Sequence, residues 1–139
     1  MTVATAVAER AWCVVVPHHA RGARIARHRL ATELAGVVAA TLLADAVAVT
    51  AELVGNSVRH AQPLPGGVIR VAWRLRPSTA GVDEIEVRVT DGGSTSPPTV
   101  RQASPESVDG RGLTIVAALA ARWGVEKDGL GQSVWAELS

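Results

Sequence analysis

The sequence predicts an α+β fold, a two-layer sandwich in which three helices cover one face of a mostly antiparallel sheet. Two observations predict it. Segments with apolar residues at helical spacing are followed by segments in which apolar and polar residues alternate. The alternating segments have one polar face, which is typical of antiparallel strands packed on one side only. The chain has 139 residues, 47% of them hydrophobic and 19% charged, so we expect residues 1–139 to form one domain.

The N-terminal half predicts one strand and two helices. The run "AWCVVVP" predicts a short buried strand that ends at Pro17, because proline cannot donate to a ladder. Apolar residues at helical spacing predict a first helix over Ala20 to Ala35, stopped by Gly36. A second helix is expected from Ala40 to Arg59, before the loop "AQPLPGG".

The C-terminal half predicts two hairpins and a third helix. "VIRVAWRLR" and "EIEVRVT" alternate as strands of one hairpin, in which arginines and glutamates face each other. "RGLTIVAALAARW" predicts the third helix, and "GVEKDGLGQSVWAELS" a final hairpin that turns near Asp128 and Gly129. The stretch 91–110 between them has no periodicity, and a loop of this length in a small domain is usually functional or mobile.

Composition argues against two classes of partner. A net charge of +1 gives no general attraction to nucleic acid or anionic membrane. The basic run "HHARGARIARHR" could contact phosphates, but without interleaved aromatics or a DNA-binding motif we expect a solvated helix face. The uncharged run 34–44 is shorter than the ~20 residues of a membrane span. Together with the single Cys13, these features predict a cytoplasmic protein.

The stretch "AELVGNSVRHA" places Glu52, Asn56 and His60 four residues apart on one side of the second helix. One interpretation is the solvated side of an ordinary half-buried helix. The other is a site in which Glu52 and Asn56 face a ligand. An amide oxygen beside a carboxylate can hold Mg²⁺ or an ordered water, and the carboxylate can accept a proton.

Two stretches rich in glycine allow a similar pair of interpretations. "DGGSTS" is either a turn or a strand end that presents Asp91 to an amino group, with glycines that let a flat ligand approach. "DGRGLTIV" places Gly110 and Gly112 immediately before a helix. It is either an ordinary glycine-rich helix start or an anion site, since free N–H groups and the helix dipole attract phosphate.

The order of these motifs resembles the GHKL ATPase superfamily. "ELVGNSVRHA" comes first, then a strand ending in "DGG", a long loop into "GRGL" and a helix, and last "GQSVWAEL". The likeness covers nearly the whole chain and is strongest to anti-sigma-factor serine kinases and related actinobacterial ATP-binding regulatory proteins. It implies a histidine-kinase-like ATP-binding domain of the Bergerat fold. ATP and Mg²⁺ would bind between the second helix, a lid loop at about 94–109 and the third helix.

The resemblance also implies roles for individual residues. Asn56 matches the asparagine that coordinates Mg²⁺, and Glu52 matches the acid proposed as general base. Asp91 matches the aspartate that binds the adenine amino group, with Gly93 keeping the pocket floor clear. The remaining matches are Gly110 and Gly112 facing the phosphates, Leu113 next to them, Arg111 as the cation on the γ-phosphate, and Ser133 assisting the aspartate.

Two functions are compatible with this resemblance. The first is an ATP-dependent serine/threonine kinase that phosphorylates a small STAS-type anti-sigma antagonist, binds a sigma factor and forms a homodimer. The second is a regulatory module that binds ATP as a conformational ligand and transfers nothing. A third interpretation keeps the fold but supposes that nucleotide binding has been lost. The usual Asp-x-Gly-x-Gly is here Asp91-Gly92-Gly93-Ser94-Thr95, and the lost glycine bears more on turnover than on binding.

Overall fold

Among the residues that the computed structural model describes, five strands form one antiparallel sheet in the order β1-β2-β3-β5-β4. The structure describes residues 9–77, 83–93, 108–129 and 131–139. The strands are β1 (Arg10–Pro17), β2 (Val68–Arg76), β3 (Glu84–Asp91), β4 (Arg122–Asp128) and β5 (Gly131–Leu138). The helices are α1 (Ala20–Leu34), α2 (Ala40–His60) and α3 (Val108–Leu119). All strand pairs are antiparallel, so the predicted α+β sandwich is confirmed.

The helices pack against one face of the sheet, with α2 in the centre. α2 contacts α1, α3 and the three inner strands, while α1 lies over β1 and α3 beside β4. By length and composition α2 is apolar enough to cross a membrane, but here it is packed against the other elements. Its buried residues meet the inward side chains of the strands, which include Trp73, Ile69, Val71, Val87 and Val89. This packing fixes one end of α2 beside the end of β3.

One polar pair lies inside this core. Trp73 of β2 and Thr50 of α2 are both buried, and the indole N–H donates to the threonine hydroxyl over 3.2 Å. A buried indole N–H needs an acceptor. Thr50 therefore gives the largest core side chain its hydrogen bond, and the pair joins the central helix to the sheet.

The predicted strand at the N-terminus is real, but its predicted burial is wrong. β1 is an edge strand, paired only with β2, and just Val16 is fully buried. Val15 is 58% exposed. An edge strand has one neighbour, and the helices cover only one face of this sheet, so alternate residues of the apolar run point outward.

The third helix was predicted too late in the chain. It spans Val108–Leu119, whereas the sequence predicted residues 111–123, and Trp123 belongs to β4. The helix needs one apolar side against the core, which Leu113 and Val116 supply. Trp123 instead pairs with Ala136 in the final hairpin, whose predicted turn near residue 128 is confirmed. The first two helices lie within a residue of their predicted bounds.

The predicted facing of arginine and glutamate in the β2–β3 hairpin is confirmed by the register, in which Arg74 is opposite Glu86. The ion pairs nevertheless involve other partners. Arg74 pairs with Glu9 at 2.8 Å, and Arg88 of β3 reaches Glu126 of β4 at 2.7 Å. These pairs are largely exposed, so each contributes little, about 0–1 kcal/mol.

Candidate functional site

Asp91 is the last residue of β3, and only 2% of it is exposed. Its Oδ2 accepts a hydrogen bond of 2.5 Å from the Ser57 hydroxyl, and its Oδ1 accepts one of 2.8 Å from the Gly93 N–H. Burial raises the pKa of Asp91 above its ordinary 3.8, while the two hydrogen bonds and the nearby His18 oppose the rise. Each carboxylate oxygen has a second lone pair, so Asp91 can still accept an N–H from a ligand.

Two glycines turn the chain directly after Asp91. Gly93 has φ +87°, in the left-handed region that favours glycine. A side chain on Gly92 would collide with the Pro63 carbonyl oxygen. The close approach lets the turn pair with the segment after α2. The Gly92 N–H donates to the Gln62 carbonyl over 2.7 Å, and the Gln62 N–H donates to the Gly93 carbonyl over 2.9 Å. Asp91 is thereby fixed against the end of α2.

His18 holds the same helix end from the side of β1. Its Nε2 lies 3.0 Å from the carbonyl oxygen of Ser57 and 2.8 Å from that of Ala61. Carbonyls in the last turn of a helix have acceptor capacity to spare, so one ring N–H can donate between them. The His18 backbone N–H donates to Gly67 over 3.0 Å. The turn of α2 that carries Ser57 is therefore held by two separate segments.

Asn56 precedes Ser57 in α2 and is also buried, with 9% exposed. Its Oδ1 accepts a hydrogen bond of 3.1 Å from Nη2 of Arg59, and its Nδ2 has no partner among the described residues. A buried donor left unpaired costs about 1–3 kcal/mol, so it calls for an explanation such as a ligand. An amide oxygen is a suitable Mg²⁺ ligand. The side chain of Asn56 therefore fits a metal or nucleotide site.

Glu52 lies one helical turn before Asn56 and is half-buried. Its carboxylate makes no hydrogen bond or ion pair with any residue that the structure describes. Residues four apart share one face of a helix, so Glu52 and Asn56 line the same side of α2. An unengaged carboxylate at this position is available to accept a proton.

The structure places Ser133 away from Asp91. Its hydroxyl pairs with that of Thr90 at 2.7 Å, and Thr90 is its partner in the β3–β5 register. The residue opposite Asp91 is Gln132, which is 3% exposed. Successive strand residues point to opposite faces, so Gln132 rather than Ser133 shares the face of Asp91. The hydroxyl that does reach the carboxylate belongs to Ser57.

The glycines of the predicted anion site lie inside α3 rather than before it. Because α3 begins at Val108, Gly110 and Gly112 are its third and fifth residues, and the helix begins three residues earlier than the predicted start at Arg111. Leu113 is 3% exposed and belongs to the core. The side chain of Arg111 and residues 94–107 of the expected lid lie outside the described residues.

The remaining candidates from the sequence are on the surface. His60 is exposed at the end of α2. The charged residues of α1 are largely exposed. Within residues 9–77, 83–93, 108–129 and 131–139, no group of three His, Cys, Asp or Glu side chains could hold a metal ion.

A family model described as the histidine kinase-like ATPase domain matches residues 15–138. The match includes every site residue from His18 to Ser133. The chain belongs to this ATPase-domain family. Comparison with curated proteins gives no match.

The fold of this ATPase-like domain is similar to that of a solved structure. That structure contains the RsbU and RsbW domains of Rv1364c from Mycobacterium tuberculosis, with a TM-score of 0.64 and 18% identity. The similarity covers 93% of this chain and 32% of that chain, so this chain spans about a third of its length. Family and fold together confirm the GHKL resemblance, and the family description implies ATP as the nucleotide.

Three residues of the candidate site were not singled out from the sequence. Ser57 had a usable signal, because a serine directly after Asn56 in an apolar helix needs a partner once buried. Arg59 stands three residues after Asn56, and the structure shows its bond to that side chain. His18 had no signal, since its contacts are with backbone carbonyls 39 and 43 residues away.

Proposed function

We propose that this domain binds Mg-ATP beside α2 and transfers the γ-phosphoryl group to a serine or threonine hydroxyl of a small protein. The observation that carries the proposal is the buried Asp91 carboxylate, held by Ser57 on the same helix that presents Glu52 and Asn56. A fixed carboxylate with a free lone pair suits the amino group of adenine. The polyphosphate would then extend along α2 toward Asn56 and Glu52.

The transfer step assigns a task to each side chain. Glu52 takes the proton of the acceptor hydroxyl as the hydroxyl oxygen forms a bond to the γ-phosphorus. The bond to the β–γ bridging oxygen breaks, and ADP leaves with that electron pair. Asn56 would hold Mg²⁺, which when bound neutralises charge on the phosphate oxygens. Asn56 is buried, which supports this role. Packing orients its side chain before the nucleotide binds.

For the protein partner we propose a STAS-type anti-sigma antagonist, with a sigma factor as a second partner and a homodimer as the working form. The motif order in the sequence supports this choice. So does the similarity to a structure whose description names an RsbW domain. Within the proposal, residues 1–139 act as one domain, with a lid over residues 94–109 and Arg111, Gly110 and Gly112 near the phosphates.

A thermal-unfolding series with and without nucleotide tests the binding step. A ligand present at 100 times its dissociation constant stabilises the folded state by ~2.7 kcal/mol. We expect such a shift with Mg-ATP and a smaller one with Mg-GTP, because guanine presents a carbonyl where adenine presents an amino group. The Asp91→Ala variant should lose the shift. If the wild-type protein shows no shift with Mg-ATP, nucleotide binding is excluded.

A transfer assay with labelled ATP and purified STAS-type proteins tests the chemistry. The Glu52→Gln variant should bind ATP as the wild type does and lose transfer by about 10²–10⁴-fold, the usual contribution of a general base. Retained transfer in that variant would remove Glu52 from the role.

The altered glycine motif favours the second function, in which ATP is bound but not transferred. Thr95 stands at the position where the usual motif has its second glycine. ATP binding by the wild type with no labelled product from any partner would identify the domain as such a regulatory module.

A further inference from the structure

Arg59 is folded back along α2 onto the proposed metal ligand. Its Nη2 donates to Oδ1 of Asn56 over 3.1 Å, although Arg59 is an exposed residue. Long side chains on a helix lean toward its N-terminus, which brings residue 59 over residues 55 and 56. The amide oxygen that a cation would use is therefore already engaged by a guanidinium.

The guanidinium of Arg59 lies close to the backbone of α2 at Gly55. A Cβ on Gly55 would lie 3.0 Å from Nη1 of Arg59, and the three nearest atoms to that Cβ all belong to this guanidinium. Glycine inside a helix costs roughly 0.5–1 kcal/mol relative to alanine. The guanidinium thus lies against the helix backbone at Gly55, a residue with low helix propensity.

The guanidinium and a divalent cation compete for Oδ1 of Asn56. Both carry positive charge and would be a few ångströms apart, so each disfavours the other. The polyphosphate of a nucleotide removes the conflict, because it offers the guanidinium acceptors that replace the amide oxygen.

We propose that Arg59 controls the access of divalent metal to Asn56. Without nucleotide, Arg59 holds Oδ1 and weakens metal binding; with nucleotide, it moves to the phosphates and Oδ1 becomes available. The inference rests on the proposed function, since it assigns metal and polyphosphate to this site. It makes metal and nucleotide affinities interdependent through one exposed side chain, a coupling that must be reciprocal.

The test measures Mn²⁺ binding by electron paramagnetic resonance, with and without a non-hydrolysable ATP analogue. Without nucleotide, Arg59→Met should bind Mn²⁺ about tenfold more tightly than the wild type, a difference of ~1.4 kcal/mol. Arg29→Met is the matched control, because Arg29 pairs with Glu33 on α1 and its loss removes the same charge elsewhere.

Two further results decide the inference. The affinity gained in Arg59→Met must disappear in Arg59→Met/Asn56→Ala, and the factor by which the analogue tightens Mn²⁺ binding must fall in Arg59→Met. Equal Mn²⁺ affinity of wild type and Arg59→Met without nucleotide would overturn the role of Arg59, even if ATP binds. A wild-type protein that shows no thermal shift with Mg-ATP would instead overturn the proposed function.

Discussion

The hydroxyl of Ser57 donates a 2.5 Å hydrogen bond to Oδ2 of Asp91, and so joins the central helix to the end of β3. Asn56 is the next residue back along that helix, and Glu52 lies one turn earlier. The proposed metal ligand and base lie on α2 itself, and this bond joins the proposed adenine acceptor on β3 to the same helix. The bond therefore helps to fix the distance between the two ends of a nucleotide.

Replacing Ser57 by Ala should weaken ATP binding. The buried Oδ2 of Asp91 loses its donor, and since that hydrogen bond lowers the pKa of Asp91, the pKa rises further. A carboxylate that is protonated more often accepts less well from an amino group. We expect ATP affinity to fall about tenfold, corresponding to roughly one hydrogen bond of ~1–1.5 kcal/mol, in isothermal titration calorimetry.

Ser57→Thr is the matched control, because it retains the hydroxyl. It should bind ATP more tightly than Ser57→Ala. Equal affinities of the wild type and Ser57→Ala would show that the contact does not serve the nucleotide.

Asp91 should make the folded state less stable as pH rises. Its pKa is raised in the folded protein, so between pH 3.8 and the higher folded value the unfolded state has released the proton that the folded state retains. Folding therefore loses stability as pH increases through the folded pKa, and above it the loss is complete. The difference in free energy of unfolding between the wild type and Asp91→Asn, measured by urea denaturation across this range, should move in favour of the variant.

The difference between the two proteins is the informative quantity, because other carboxyl groups titrate in both. A wild type that gains stability relative to Asp91→Asn as pH rises would contradict the raised pKa. The Asp91→Asn variant should also lose ATP affinity. The effects of this residue on stability and on nucleotide binding are then measured separately.

Gly93→Ala and Gly36→Ala form a matched pair of backbone changes. Both glycines have positive φ, +87° and +78°, and alanine pays about 1–2 kcal/mol in that region. Each variant should therefore be destabilised by a similar amount in chemical denaturation. Only Gly93→Ala should also reduce ATP affinity, because strain at this turn displaces the N–H that donates to Oδ1 of Asp91. Equal ATP affinities of the two variants would show that the turn at Gly93 does not contribute to ATP binding.

Replacing Thr50 by Val should destabilise the core by about 1–3 kcal/mol, since the buried N–H of Trp73 would lose its acceptor. Urea denaturation of Thr50→Val, Trp73→Phe and the double variant measures the effect. In the double variant the Thr50 change should cost much less than it does in the wild type, because no donor is left unpaired. Additive costs would show that the hydrogen bond contributes nothing.

The sequence was informative where side chains determine structure through periodicity. The apolar spacing located α1 and α2, and the alternation of β2 and β3 located the hairpin and its register. It failed for β1, because an apolar run does not reveal whether a strand has one neighbour or two. It also misplaced the start of α3, where Gly110 and Gly112 suggested a loop although the backbone is helical.

The candidate site shows the same division. Glu52, Asn56 and Asp91 could be selected because their chemistry is visible in residue type and motif order. Ser133 was selected by motif position, yet the strand register points it away from Asp91. A shift of one position along a strand moves a side chain to the other face of the sheet. The order of the motifs does not fix positions to within one residue.

The pairing of Gln62 with Gly92 and Gly93 uses main-chain atoms alone. Its side chain is therefore free to vary during evolution, and any residue except proline at position 62 supplies the same N–H and carbonyl. Proteins that share this arrangement need share no amino acid there. The turn after Asp91 can thus be kept in place while the sequence of the segment after the central helix changes.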